Sequence, residues 1–305
     1  MHISVLLTEV IENLNIKNNS VIVDATLGYA GHSSEILKRI PNGKLYAFDQ
    51  DKEAIGFSKE KLSNIGNNFE IIKSNFVNMK DELQKRNVTH VDGILFDLGV
   101  SSPQLDEDYR GFSFHKDATL DMRMDQEQEL TAKIVVNTYS LEQLTNIMKE
   151  YGEEKYAYNI AKKIVKVREE KEINTTLELV EIIKSAVPEK YKREHHPARK
   201  VFQAIRIEVN HELEVFEKAL IDALDLIDIN GRICVITFHS LEDRICKRIF
   251  KEKTEIDSNL KNMPIIPDEY LPSFKIVKVI EPSNKELEKN NRSRSSKLRI
   301  IERIK

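Results

Sequence analysis

Apolar residues follow two rhythms along this chain. In the amino-terminal third they come in short runs: Val21–Val23, Lys44–Phe48, Phe69–Ile72 and Val91–Phe96. Such near-continuous apolar runs suit strands buried on both faces of a parallel sheet. Between them, apolar positions recur at helical spacing. Ile36, Leu37 and Ile40 follow a helix start near His32 or Ser33. Ala54, Ile55 and Leu62 line a helix over Lys52–Leu62, which Asp51 can cap. Met79–Leu83 sits in a third helix. Strands alternating with helices of this length argue for an open parallel sheet with helices on both faces.

From Ser101 to about His195 no comparable β run occurs. Asp106–Asp125 reads as a polar loop broken by Gly111. Helical signals follow, among them two capping boxes, Ser140-Leu-Glu-Gln143 and Thr175-Thr-Leu-Glu178. Glu153–Glu170 carries Ile160, Ala161, Ile164 and Val165 on one face. The α/β pattern then resumes with one long amphipathic helix over Ala198–Ile227 and a strand over Ile233–Phe238. Ser240 caps the next helix. A sixth strand, Phe274–Ile280, puts Phe274, Ile276 and Ile280 on one face, with Lys275 and Val277 on the other. Leu298–Ile304 is the last strand, and Pro282–Ser296 reads as a mobile polar connector. The expected organisation is a nucleotide-binding α/β domain from residues 1–105 and 206–305, with a helical subdomain inserted at 106–205.

The totals narrow the function classes. The 305 residues are 40% hydrophobic and 32% charged, enough for a sizeable core and too apolar for disorder. A net charge of −3 excludes a global cationic field, so any nucleic-acid contact rests on local patches. Such patches are 190–200, Arg292–Arg299, and Arg244 with Lys247 and Arg248. The two cysteines, Cys234 and Cys246, suggest no disulfide, and no metal-ligand spacing occurs. There is no transmembrane-length apolar run, and Met1–Val10 lacks the shape of a signal peptide. A cytoplasmic protein, monomeric or homodimeric, is expected.

The chemistry gathers where the strands end. Ligands of open α/β sheets bind outside the carboxyl ends of the strands. That rule collects Asp24, the small-residue turn Gly28–His32, Asp49, Asn75–Phe76 and Asp97–Gln104 at one edge. The turn reads Gly-Tyr-Ala-Gly-His-Ser from Gly28, not the G-x-G-x-x-G of a dinucleotide site. Asp49 ends the second strand, where a carboxylate can accept both ribose hydroxyls of an adenosine. Phe76 can lie against an adenine or be a plain core residue. Asp97 can accept the N–H of an amine undergoing methylation, or its loop can do no more than close over a cofactor. A nicotinamide-dependent dehydrogenase and a non-catalytic factor that binds RNA through its basic patches stand as alternatives.

Several motifs in order carry a resemblance: Asp24-Ala-Thr-Leu-Gly-Tyr-Ala-Gly-His-Ser33, Asp97-Leu-Gly-Val-Ser-Ser-Pro-Gln-Leu-Asp106, Arg110-Gly-Phe-Ser-Phe114, Leu120-Asp-Met-Arg-Met-Asp125, Tyr151-Gly-Glu-Glu154, Phe202-Gln-Ala-Ile-Arg-Ile207, Phe238-His-Ser-Leu-Glu-Asp-Arg244 and Arg294-Ser-Ser-Lys-Leu-Arg299. Together they make the chain resemble the bacterial 16S rRNA (cytosine-N4)-methyltransferase family (RsmH, formerly MraW). The resemblance implies a class I methyltransferase fold, Rossmann-like, with a seven-stranded sheet and a helical insertion. It implies S-adenosylmethionine (SAM) as donor and the exocyclic N4 of a cytosine in the decoding (P-site) region of 16S rRNA as acceptor, within the small ribosomal subunit. The family's cofactor positions fall here on Ala30, Gly31, His32, Asp49, Phe76, Asp97 and Gln104. Ala30 stands where many members have glycine, which one methyl allows if φ stays negative. Asn291 replaces a proline common before the basic tail.

Overall fold

The computed structural model describes residues 4–100, 108–194, 196–256, 260 and 266–305. The chain divides into two compact units, one of Met1–Gly99 with Leu213–Lys305, the other of Val100–Glu212.

In the first unit every apolar run becomes a strand: β1 (Val21–Asp24), β2 (Lys44–Asp49), β3 (Phe69–Lys73), β4 (Val91–Asp97), β5 (Ile227–Thr237), β6 (Phe274–Ile280) and β7 (Lys297–Arg303). They form one sheet in the order β3-β2-β1-β4-β5-β7-β6. The first five pair in parallel, and β7 lies antiparallel between β5 and β6. This is the seven-stranded class I arrangement that the resemblance implies. The chain winds outward from β1 to β3, then restarts at β4 on the other side of β1. The strand order therefore reverses at β1/β4, the switch point beside which such sheets bind ligands. Ile22, Val23, Ile94, Leu95, Phe96 and Val235 are buried, because both faces of the sheet are covered.

The helices α2 (Gly31–Leu37), α3 (Lys52–Ser63) and α4 (Met79–Gln84) follow the predicted rhythm, and α1 (Leu7–Asn13), which the pattern did not announce, precedes them. Asp51 caps α3 by accepting the Glu53 N–H at 3.0 Å.

The second unit is helical and has its own core. Its helices are α5 (Ala132–Thr138), α6 (Leu141–Glu150), α7 (Ala157–Glu170), α8 (Thr176–Ser185), α9 (Glu189–Glu194) and α10 (Ala198–Asn210). Both expected capping boxes are present, at Ser140/Gln143 and Thr175/Glu178. Leu144, Met148, Ile160, Ile164, Ile183, Phe202 and Ile205 pack together in the core. Among the described residues, no helix of the protein is long and apolar enough to cross a membrane.

Five expectations are corrected. The long helix over Ala198–Ile227 is two, α10 and α11 (Glu212–Leu226), because His211 adopts φ 50° and turns the backbone left-handed. The α12 helix (Ser240–Thr254) is capped by His239, not Ser240. His239 and Glu242 form a reciprocal box in which the Glu242 carboxylate accepts the His239 N–H. In β6 a register shift between Ile276 and Lys278 resets the alternation. Phe274 therefore faces one side of the sheet, Val277 and Ile280 pack on the other, and Ile276 is exposed. The connector 282–296 is structured: Asn284–Lys289 forms a helix, α13, and Asn291–Ser295 a 3₁₀ turn with Ser293 and Ser296 buried. Ala30 does not keep φ negative but sits at φ 54°, ψ 40°.

Candidate functional site

Three carboxylates end three adjacent strands of the first unit. In register, Asp24 of β1 lies beside Ala47 of β2 and Leu95 of β4, so Asp49 and Asp97 each stand two residues beyond that level. The order across the sheet edge is Asp49, Asp24, Asp97.

Asp24 is a scaffold. Its Oδ2 accepts the Ser33 hydroxyl at 2.7 Å, and its Oδ1 accepts the Thr26 N–H at 3.0 Å. Burial raises its pKa, while these donors pull it down. Thr26, in a turn where SAM enzymes often carry glycine, has a job of its own. Its hydroxyl accepts the Asp97 N–H at 2.7 Å and so ties the β1 turn to the end of β4.

The turn is fixed from several directions. Gly28, at φ 48°, donates its N–H to Asp49 Oδ2 at 2.8 Å, and its carbonyl accepts the Ser58 hydroxyl of α3 at 2.7 Å. The Tyr29 carbonyl accepts Lys61 Nζ at 2.9 Å. Asp49 also accepts the Asp51 N–H on Oδ1 at 2.8 Å. Each carboxylate oxygen keeps a second lone pair, so Asp49 can still accept hydroxyls. Burial, opposed by these backbone donors, pushes its pKa up to about 7.

Ala30 is fully buried and caps α2 in the left-handed region. Gly31 needs its missing side chain for a different reason than ligand approach: a methyl there would collide with the Ser4 side chain. His32 is also occupied within the protein. It is 4% exposed, with Nε2 3.0 Å from the Val5 carbonyl and Nδ1 3.4 Å from Asp97 Oδ2. Phe76 is partly buried, edge-on to Phe96 at a centroid separation of 5.7 Å. Gln104 lies outside the described residues, as does His195.

Asp97 differs from the other two carboxylates. Its side chain is 25% exposed, yet Oδ1 is sealed from solvent and has no hydrogen-bond partner among the described residues. Burial, then the carboxylates of Asp24 and Glu242, push its pKa well above the usual range. A buried oxygen without a donor costs stability unless a ligand supplies one. The edge thus brings together a side-chain-poor turn, the ring of Phe76 and two carboxylates, Asp49 and Asp97, with lone pairs that can accept from a ligand. Sequence reasoning missed Thr26, Ser33 and Ser58, whose hydroxyls hold this edge together. The Thr and Ser flanking the turn were the available signal for Thr26 and Ser33; Ser58, inside α3, carried none.

Much of the remaining motif set holds the second unit together. Arg110 is buried and donates to the carbonyls of Arg123 at 3.1 Å and Met124 at 3.4 Å. Glu154 is buried and accepts the Tyr191 hydroxyl at 2.8 Å. In the same unit Phe114 stacks on His196 with centroids 4.5 Å apart, and His115 meets His196 edge-on at 5.3 Å.

The chain is 54% identical to "Ribosomal RNA small subunit methyltransferase H" of Exiguobacterium sibiricum, covering 100% of this chain and 98% of that one. It is 52% identical to the protein of the same name from Finegoldia magna, covering 99% and 98%. Among solved structures it is similar to an rRNA methylase from Streptococcus thermophilus at 13% identity and TM-score 0.44, covering 98% of this chain and 93% of that one; this likeness is too distant to add to the argument. The model of the MraW methylase family matches residues 1–304, and the chain belongs to that family.

Proposed function

We propose that this protein transfers a methyl group from S-adenosylmethionine to the exocyclic N4 of a cytosine in the decoding (P-site) region of 16S rRNA, with the small ribosomal subunit as substrate. The observation that carries this reading is the row Asp49, Asp24, Asp97 at the switch point, with Asp97 Oδ1 left without a donor among the described residues. The names of the two relatives support ribosomal RNA of the small subunit as the substrate class.

When bound, SAM supplies an activated methyl on a sulfonium, so the chain's task is positioning. Gly28, Ala30, Gly31 and His32 form the turn against the donor, Asp49 accepts the ribose hydroxyls, and Phe76 faces the adenine. Asp97 accepts an N–H of the cytosine amine, which turns the nitrogen lone pair toward the methyl group. A base embedded in a stack cannot reach such a site, so the cytosine has to leave its stack.

The helical unit is the substrate-recognition part. Its Phe114, His115 and His196 form a cluster of mutually packed rings, side chains of the type on which unstacked bases lie. Lys190, Arg193 and Arg199 bring cationic groups from the same stretch of sequence.

Small subunits from a strain lacking this protein, incubated with tritiated-methyl SAM, should incorporate label that digestion recovers as N4-methylcytidine. No incorporation would favour a scaffold that binds ribosomal RNA without chemistry. Asp97→Ala should reduce transfer by about 10²-fold or more, the scale of a lost proton acceptor. Normal methylation by that variant would remove Asp97 from the reacting end.

A further inference from the structure

We propose that His32 and Asp97 hold one proton between them, and that His32 is the positioning residue that readies Asp97 to receive the proton released by the substrate amine. The catalytic half of this proposal rests on the methyl-transfer reading above; the shared proton does not.

The argument begins at the far nitrogen. His32 Nε2 lies 3.0 Å from the Val5 carbonyl oxygen, which can only accept, so Nε2 carries a hydrogen. The segment bearing that carbonyl is pinned at both sides. The Leu6 N–H donates to Glu286 Oε1 of α13 at 2.7 Å, and Ser4 fills the space left by Gly31. The ring is therefore held with Nδ1 facing Asp97 Oδ2 at 3.4 Å. A neutral ring with hydrogen on Nε2 would point a lone pair at an ionised carboxylate. That contact is repulsive, and the pair is buried on the His32 side. One proton consequently resides on Nδ1 or on Oδ2, and the two groups titrate as a unit.

The other groups facing Asp97 act in the same direction. Asp24 on β1 and Glu242 on α12 both oppose negative charge there, as does burial. The Thr26 hydroxyl accepts the Asp97 backbone N–H and faces its own proton toward Asp24 Oδ1 at 3.4 Å, away from the Asp97 carboxylate. His32 is the charge-compensating neighbour among the described residues, and Oδ1 is left bare for the substrate.

The step balances from either arrangement. The N4 lone pair forms a bond to the methyl carbon while the carbon–sulfur bond breaks and its electron pair stays on sulfur. The cationic N4 then releases one N–H proton to Asp97 Oδ1, and that N–H electron pair returns to nitrogen. If the shared proton sits on Nδ1, Asp97 becomes a neutral acid beside an imidazolium. If it sits on Oδ2, it passes to Nδ1 as Oδ1 takes up the new one, and the same end state results. The extra proton leaves to solvent past the exposed part of Asp97.

Two measurements test this. The first uses the ligand-free protein with ¹⁵N-labelled histidine, observed by NMR from pH 5 to 9. His32 Nδ1 should shift on Asp97→Asn and lose a titration step present in the wild type. An Nδ1 signal indifferent to that substitution overturns the shared proton, whatever the enzyme's activity. The second compares His32→Gln with the wild type. The Gln amide reaches toward Val5 but leaves Asp97 without a partner. Its kcat should fall about tenfold at pH 7, and the acidic limb of its pH profile should move up by about one unit or more, so that activity recovers at alkaline pH. An equal loss at every pH overturns the positioning role. Wild-type protein that methylates nothing would sink the proposed function and leave the NMR result standing.

Discussion

Ala30 shows how much a single backbone angle decides. At φ 54° it sits where a Cβ crowds the neighbouring carbonyl, and it is fully buried. Alanine is the largest side chain the position holds comfortably. Ala30→Val adds a β-branch to a left-handed residue in a filled site and should cost about 2–4 kcal/mol, read as a lower urea midpoint. Ala30→Gly relieves strain but loses a buried methyl and loosens the unfolded chain, so it should stay within about 1 kcal/mol of wild type. Asp49 makes a prediction of a different kind. Its pKa is pushed up to about 7, and only the ionised form leaves both oxygens free to accept. Affinity for S-adenosylhomocysteine should therefore rise as pH rises through about 7. It should be about tenfold weaker at pH 6 than on the alkaline plateau, because about a tenth of Asp49 is ionised there. Calorimetric titrations at several pH values check this, and a flat profile would remove Asp49 from the ribose. The sequence named both residues. It could not supply the sign of φ at Ala30, which the Leu27 carbonyl and the packing of α2 impose, nor the backbone donors on Asp49.

At the scale of elements, the parallel strands were legible because burial on both faces removes polar positions. The carboxylates ending β1, β2 and β4 stood out against those runs. The less legible elements are those whose form is set from outside. A strand pattern assumes strict alternation, and the shift in β6 after Ile276 breaks it. An amphipathic stretch hides a helix break when the breaking residue, His211, is neither Gly nor Pro. The polar connector before β7 is ordered by contacts distant in sequence, such as Glu286 on the Leu6 N–H. Gly111 was read as a loop breaker, and it is more than that. It sits at φ 73°, and a methyl there would meet the Thr119 carbonyl and lie 2.9 Å from the Asp121 nitrogen. This fixes the approach of 108–112 to 119–122, where Met122 donates its N–H to the Arg110 carbonyl at 3.0 Å. Gly111→Ala should cost about 3 kcal/mol, from backbone strain plus displaced main chain. Because Arg110 and Phe112 are buried beside it, near-ultraviolet circular dichroism should report loosened packing in the helical unit.

The molecule as a whole contains two hydrophobic systems. The core of Val100–Glu212 is built from its own residues, and the sheet of the other unit is covered on both faces by residues of that unit. All described positions assigned to the donor, namely Gly28, Ala30, Gly31, His32, Asp49, Phe76 and Asp97, belong to the unit of the sheet. A ligand that binds only the folded state stabilises the part that must be folded to bind it. At 100 times its Kd, that stabilisation is about 2.7 kcal/mol. S-adenosylhomocysteine should therefore slow hydrogen exchange by up to about 100-fold for amides of β1, β2 and β4, whose opening destroys the site. Amides of α6, α7 and α8, at Leu144, Ile160 and Ile183, open through a separate core and should change much less. Equal protection of both sets would mean that the units unfold as one cooperative body. Protection confined to the helical unit would place the donor away from the row of carboxylates and end the present reading of the site.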